Sequence, residues 1–241
     1  MKSTRVLLPD SSAITMAKSL MDSQYTFDTF VVGGANKLAF MAAKAVVEKP
    51  SECYNPLFIY GRSGVGKTHL LFAIKNAVCD LRGADSVMLL TGEELSTRLV
   101  HALKEEKYND FQQELSSCKY LLLDDLHTLV GKTATQKEYA YIFRAAVNRG
   151  QQVVFTASVL PSDLPILEDS LRNDFSRCLI ADIAPLDYDT SREIVLCKLS
   201  QRGMQLSETE IDRIAEDSNG QARYIEGSIK KLEAERNLRE K

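Results

Sequence analysis

The sequence predicts an α/β protein: a three-layer αβα unit on a five-stranded parallel sheet, followed by a small helical unit. Three observations predict it. Five short apolar runs alternate with segments whose apolar residues recur at helical spacing. The runs are apolar at consecutive positions, so both sheet faces need cover, which suits parallel strands between helix layers. After Pro185 the alternation ends and only helical patterns follow.

Residues 1–24 carry Pro9 and a Ser-rich stretch without sustained periodicity, and are expected to form a tail or linker with a short helix near Ile14–Met21. Asn36 to Glu48 spaces Leu38, Met41, Ala42 and Ala45 as a helix that Pro50 stops. LFIY (57–60) is the first strand. A glycine-rich turn leads into a helix from Lys67 to about Arg82, closed by Gly83. SVMLL (86–90) is the second strand. Thr91-Gly-Glu-Glu94 fits a capping box, with Leu95, Leu99 and Leu103 following on one helix. YLLLDD (120–125) is the third strand, Gln136–Arg149 a helix closed by Gly150, QVVFTAS (152–158) the fourth strand and CLIADI (178–183) the fifth. Three helices follow, at about Thr190–Gln201, Glu208–Asp217 (with Ser207 and Glu210 as a capping box) and Ala222–Arg239. The expected division is a tail at 1–24, a nucleotide-binding core at 25–184 and a helical lid at 185–241.

Composition narrows the function classes. Net charge is −3, with 30 Lys+Arg against 33 Asp+Glu, so no global basic field holds a duplex and any nucleic-acid contact is local. Five cysteines at wide spacing, without C-x-x-C, argue against a disulfide framework or a zinc site. No apolar run approaches the roughly 20 residues that span a bilayer. The N-terminus has no apolar core of signal-peptide length. The expectation is a soluble, cytoplasmic protein.

GRSGVGKT (61–68) matches G-x-x-x-x-G-K-[ST] in full, directly after a strand and opening a helix. Its glycines let backbone N–H groups line an anion cradle, to which the helix N-terminus adds its positive end. Gly61, Ser63, Gly64, Val65, Gly66, Lys67 and Thr68 are the expected phosphate-binding residues; Lys67 reaches the β and γ phosphates and Thr68 holds Mg²⁺. Asp124 and Asp125 end the third strand, the edge where ligands of open α/β sheets gather. Asp124 is the carboxylate expected to hold Mg²⁺ through water, and Asp125 is expected to polarise the attacking water. The expected cofactors are therefore ATP or ADP with Mg²⁺. His69 joins the nucleotide-binding set by position, as a packing residue. His101 and His127 share no metal-ligand spacing and have no expected catalytic role.

YTFDTFVVGGANKLAF, YNPLFIYGRSGVGKTHLL and LLLDDLHTLVGKTATQKEY together resemble the ATPase domain of the bacterial DnaA family of AAA+ proteins, from about Tyr25 to Lys241. The resemblance implies a P-loop AAA+ core with a helical lid, and a nucleotide-controlled assembly switch in the initiation of chromosomal replication. It implies that Val31 and Val32 wall the adenine and that Arg223, in GQARYIEG, is the sensor-2 arginine carried by the lid.

Three departures from the family pattern qualify this. Where the family has Ser-Asp-Arg after the fourth strand, this chain has Ala157-Ser158-Val159, which leaves Ser158 as an uncharged sensor-1 side chain. Where the family has Glu-Asp-Arg-Leu-x-Ser-Arg-Phe, this chain has Glu168-Asp169-Ser170-Leu171-Arg172-Asn173-Asp174-Phe175. Asp174 thus takes the place of the arginine finger that touches a neighbouring subunit's ATP, so hydrolysis in trans is expected to be slow or impaired. Arg172 points away from position 174 on a helix, while Arg177, at i+3, lies on nearly the same side if the helix continues that far, where it could pair with Asp174 or swing toward a nucleotide. The face at 166–177 is expected to border self-assembly or assembly with a DnaA initiator. Third, the family continues into a helix-turn-helix domain that reads origin duplex DNA. This sequence stops at NLREK, so duplex origin DNA is a partner only if a C-terminal domain follows. A cut chain and a stand-alone paralogue both fit. Single-stranded DNA is a further candidate partner, through Val100 and Lys132; Ala134 stands where a second basic residue is expected. Two alternatives accompany this reading: a non-enzymatic nucleotide-binding regulator that caps or inhibits the initiator filament, and an AAA+ protein of the helicase-loader type.

Overall fold

The computed structural model describes residues 23–129, 133–164 and 168–239. The expected short helix near Ile14–Met21, the candidate DNA contact Lys132 and the start of the 166–177 stretch lie outside these residues. The chain runs α1 (Lys37–Glu48), β1 (Leu57–Tyr60), α2 (Lys67–Arg82), β2 (Val87–Thr91), α3 (Gly92–Lys104), α4 (Tyr108–Ser116), β3 (Tyr120–Asp124), α5 (Thr133–Asn148), β4 (Gln152–Ala157), α6 (Asp169–Phe175), β5 (Leu179–Asp182), α7 (Tyr188–Gln201), α8 (Glu208–Asp217) and α9 (Ala222–Arg239). The five strands form one parallel sheet in the order β2-β3-β4-β1-β5. Every residue of β3 and β4 is buried, as strands covered on both faces require.

Two apolar clusters, one on each sheet face, make up the core. Leu57, Ile59, Leu70, Ile74 and Val46 belong to the α1/α2 side; Phe58, Leu123, Phe143, Phe155 and Phe175 belong to the α3/α5/α6 side. A third, smaller cluster of Val195, Leu199, Ile211, Ile214, Ala215, Ile225 and Ile229 holds α7, α8 and α9 together. No helix among the described residues is long and apolar enough to cross a membrane.

The structure corrects three local expectations. On α1 the buried face is Ala39, Ala42, Ala43, Val46 and Val47, while Leu38 and Met41 are exposed. The small residues let α1 lie close to the sheet, and the larger ones turn outward. On α3, Leu95 and Leu99 are fully buried but Leu103 is exposed, since at 3.6 residues per turn it has drifted about 80° around the helix from Leu95. Helix α4, not anticipated, buries Phe111 and Leu115, one turn apart.

Both expected capping boxes form. Thr91 accepts from the Glu94 N–H, and the Glu94 carboxylate accepts from the Thr91 N–H at 2.8 Å; Ser207 and Glu210 do the same for α8. Thr91→Ala is expected to cost about 1 kcal/mol and to lower the melting temperature by roughly 2–4 °C, measured by thermal denaturation.

Candidate nucleotide site

The P-loop leaves β1, which lies between β4 and β5, and its Gly61 N–H donates to Ala157 O at 3.2 Å. Two of its glycines sit where other residues would be strained: Gly64 at φ +84° and Gly66 at φ +112°. A Cβ at Gly66 would also lie 3.2 Å from the Phe30 ring, and one at Gly64 3.1 Å from Arg223 Cβ. The loop thus turns sharply between an aromatic strap and the lid.

Lys67 opens α2 and is buried. Its ammonium donates to Gly61 O at 2.8 Å and Arg62 O at 3.0 Å, curled over the loop carbonyls. Burial pushes its pKa below the ordinary lysine value, against the upward pull of Asp125 and Asp124.

Thr68 and Asp124 meet directly: Thr68 Oγ1 donates to Asp124 Oδ2 at 3.0 Å. Thr156, which sequence reading did not single out, donates to Asp124 Oδ1. The Asp125 N–H donates to both Asp124 Oδ1 and Thr156 Oγ1, each at 3.1 Å. These bonds hold Asp125 in the left-handed region at φ +52°, which aspartate tolerates better than most residues. A hydroxyl and a carboxylate oxygen 3.0 Å apart beside the P-loop fit a hard, oxygen-seeking cation such as Mg²⁺. Among the described residues no group of three or more His, Cys, Asp or Glu could hold a metal alone. A cation here would complete its shell with phosphate oxygens and water, the usual habit of Mg²⁺.

A cleft of 430 Å³ opens over the loop, lined by Ser63, Gly64, Gly66, Lys67, Thr68 and His69, by Asp125, His127 and Ser158 at the strand ends, and by Lys198, Arg223 and Glu226 from the lid. Arg223 reaches the loop twice. Its Nη1 donates to Ser63 Oγ at 2.9 Å, and its main-chain N–H donates to Gly64 O at 3.2 Å. His127, given no role from sequence, places Nδ1 3.8 Å from Asp125 Oδ1, and this buried nitrogen has no hydrogen-bond partner among the described residues.

His69 is held between strap and loop. Its Nε2 lies 2.9 Å from Thr26 O and 3.3 Å from Thr29 Oγ1, and its ring packs against Tyr25 and Phe30 at 5.0 and 5.1 Å. Burial lowers its pKa to about 4, and Lys198 adds to that lowering while the Thr26 bond opposes it. The ring is therefore neutral near pH 7, and with Nε2 facing a carbonyl it carries its proton there.

Next to the cleft lies a 50 Å³ cavity lined by Thr29, Phe30, Val31, Val65, Ile194 and Cys197, among others. Val31 is in its wall. Val32 is 40% exposed and belongs to neither lining, because successive residues of an extended strap face opposite ways. Phe30 lines the small cavity beside Val31, with its ring against the loop at Gly66.

The remaining expected residues lie elsewhere. Val100 is half-buried on α3, outside the cleft. On α6, Asp174 does not pair with Arg177. The helix ends at Phe175, so the i+3 argument lapses, and Arg177 instead offers its main-chain N–H to Asp174 O at 3.2 Å. The partner is Arg144 of α5, whose Nε donates to Asp174 Oδ1 at 2.9 Å and Oδ2 at 2.7 Å. Arg172 turns the other way, to Ser162 O at 3.1 Å.

The family described as "Bacterial DnaA ATPAse domain" matches residues 21–182. The chain belongs to this family. It is 35% identical over 225 residues to the chromosomal replication initiator protein DnaA of Caldanaerobacter subterraneus subsp. tengcongensis, covering 93% of this chain and 51% of that one. The chain thus spans about half the length of the curated DnaA relatives it matches. Domain III of Thermotoga maritima DnaA superposes with a TM-score of 0.86 at 36% identity, covering 90% of this chain and 91% of that one. A replication initiator DnaA bound to AMPPCP and single-stranded DNA superposes at 0.81 with 32% identity, covering 90% and 69%. The DnaC helicase loader, at 0.58 and 21% identity over 68% of this chain and 98% of that one, shares the fold alone. The architecture is the DnaA AAA+ fold, an αβα core with a helical lid.

Proposed function

We propose that this chain is a nucleotide-switched assembly module acting in the initiation of chromosomal replication in the cytoplasm, with residues 25–184 as core and 185–241 as lid. It binds ATP or ADP with Mg²⁺ held by Thr68 and Asp124, and hydrolyses ATP slowly. The observation that carries this reading is the Arg223 contact, in which the lid closes on the phosphate loop through Ser63 and Gly64. A phosphate chain entering the cleft would take over that guanidinium and shift the lid, so nucleotide state becomes domain position. Lys67 and Arg223 bind phosphate charge, Asp125 is placed to orient water, and Ser158 offers a hydroxyl at the far wall. Mg²⁺, when bound, supplies charge neutralisation and a Lewis acid to the phosphates. Single-stranded DNA, which a DnaA relative holds, is proposed as a ligand of assembled subunits, with Val100 and Lys132 as its contacts.

The test is equilibrium binding together with particle size. ATP and ADP are expected to bind at micromolar affinity or tighter, and particles are expected to be larger in ATP than in ADP. Lys67→Ala is expected to weaken both nucleotides by roughly tenfold or more, as loss of charge-assisted bonds does. Wild type that binds neither nucleotide would overturn the reading.

The Asp174–Arg144 pair favours a second reading, a non-enzymatic regulator that caps an initiator filament by presenting no free arginine at position 174. Substoichiometric addition to an authentic DnaA should then shorten its filaments or lower its ATP turnover. A helicase-loader role has the shared fold alone behind it, and capture of a replicative helicase would be its signature.

A further inference from the structure

Lys198 lies on α7 of the lid and is 9% exposed. Among the described residues no carboxylate lies within 4.0 Å of its ammonium and no hydrogen bond reaches it; the Tyr25 ring centroid is 5.9 Å away. The nearby Glu226 is occupied, with Lys230 at 3.2 Å and Arg202 at 3.9 Å. Lys198 lines the cleft and its ammonium keeps contact with solvent there, so it can meet an anion that enters.

Position identifies the anion. Gly66, His69, Lys198 and Ala222 are the residues that line both the phosphate cleft and the smaller apolar cavity beside it. Lys198 is the charged group among them, since His69 is neutral. A nucleotide laid across the two spaces, base toward Val31 and Ile194 and phosphates toward Lys67 and Arg223, has its α-phosphate at that junction. We infer that Lys198 is a nucleotide-binding residue of the lid that takes the α-phosphate, the part that ATP and ADP share. The lid then carries two phosphate contacts with different jobs. Lys198 registers that a nucleotide is present, and Arg223 reports on the far end of its phosphate chain. This rests on the nucleotide-binding reading above.

The experiment measures ATP, ADP and adenosine binding, and the melting temperature without ligand, for wild type, Lys198→Met and Lys198→Arg. Lys198→Met is expected to weaken ATP and ADP by the same factor, about ten- to a hundredfold for a lost charge-assisted bond, and to leave adenosine unchanged. Without ligand its melting temperature should stay close to that of the wild type, because the ammonium is not sealed from solvent. Lys198→Arg should recover part of the affinity. Equal affinities in wild type and Lys198→Met, or a loss confined to ATP, would overturn the inference while leaving the nucleotide site standing. A lower melting temperature with unchanged binding would mark Lys198 as structural and also overturn it. Absence of nucleotide binding by wild type would overturn the underlying reading, and this inference with it.

Discussion

Asp174→Arg is expected to raise ATP turnover in assembled protein, by on the order of 10³ if the new guanidinium reaches a neighbour's nucleotide. The carboxylate now at this position is not a bare negative charge. It takes both bonds from the Arg144 Nε and is 17% exposed. Repulsion of a neighbouring phosphate is therefore weaker than the sequence alone suggests, and what the site lacks is a cation free to move toward that phosphate. Replacing Asp174 removes one acceptor of Arg144 and brings a second guanidinium near it. Asp174→Ala separates the effects, since it removes that acceptor without adding a charge. Particle size and phosphate release, followed together in ATP and in ADP, provide the check. A gain in the arginine variant that grows with assembly places position 174 at a subunit boundary. Unchanged turnover in fully assembled protein would remove this face from the reaction.

Acid is expected to loosen the protein before it reaches the carboxylate range. His69 titrates near 6.5 in the unfolded chain and at about 4 in the folded one, mainly because burial disfavours its charged form. Between these values the unfolded state holds a proton that the native state does not, so stability falls as pH drops from 6.5 to 4 and this contribution levels off below. The shift corresponds to up to about 3 kcal/mol. Denaturant unfolding at several pH values, for wild type and His69→Gln, is the check. The variant should show a shallower slope in that window, and equal slopes would dissociate His69 from acid sensitivity. The effect bears on the site because His69 holds the strap at Thr26 against the helix that carries Lys67 and Thr68.

The sheet and the phosphate loop were legible because their signals are local. An apolar run of four or five residues, a capping box and a full P-loop each occupy one short window, and the structure places them within about a residue of the expected bounds. Helix α4 was not legible, since its YNDFQQELS buries only Phe111 and Leu115 and gives too little periodicity to register. Side-chain partners were least legible. Nothing in the sequence brings Arg144 to Asp174 across 30 residues, and the nearer Arg177 looked better only on the assumption that α6 continued past Phe175. Thr156 read as one more residue of a buried strand, yet it anchors Asp124 and the turn at Asp125. Lys198 carried no signal of its own within the helix expected at Thr190–Gln201; its place at the cleft comes from how the lid packs on the core.

The Arg223 contact has a consequence for how the lid can be probed. One of its two bonds comes from the peptide N–H to Gly64 O, and a peptide N–H is present whatever the side chain, proline excepted. Latch and probe therefore share one residue but not one atom. Arg223→Ala or Arg223→Gln can silence the probe while the latch still seats the lid on the loop. A variant of this kind isolates what the charge reads from where the lid rests.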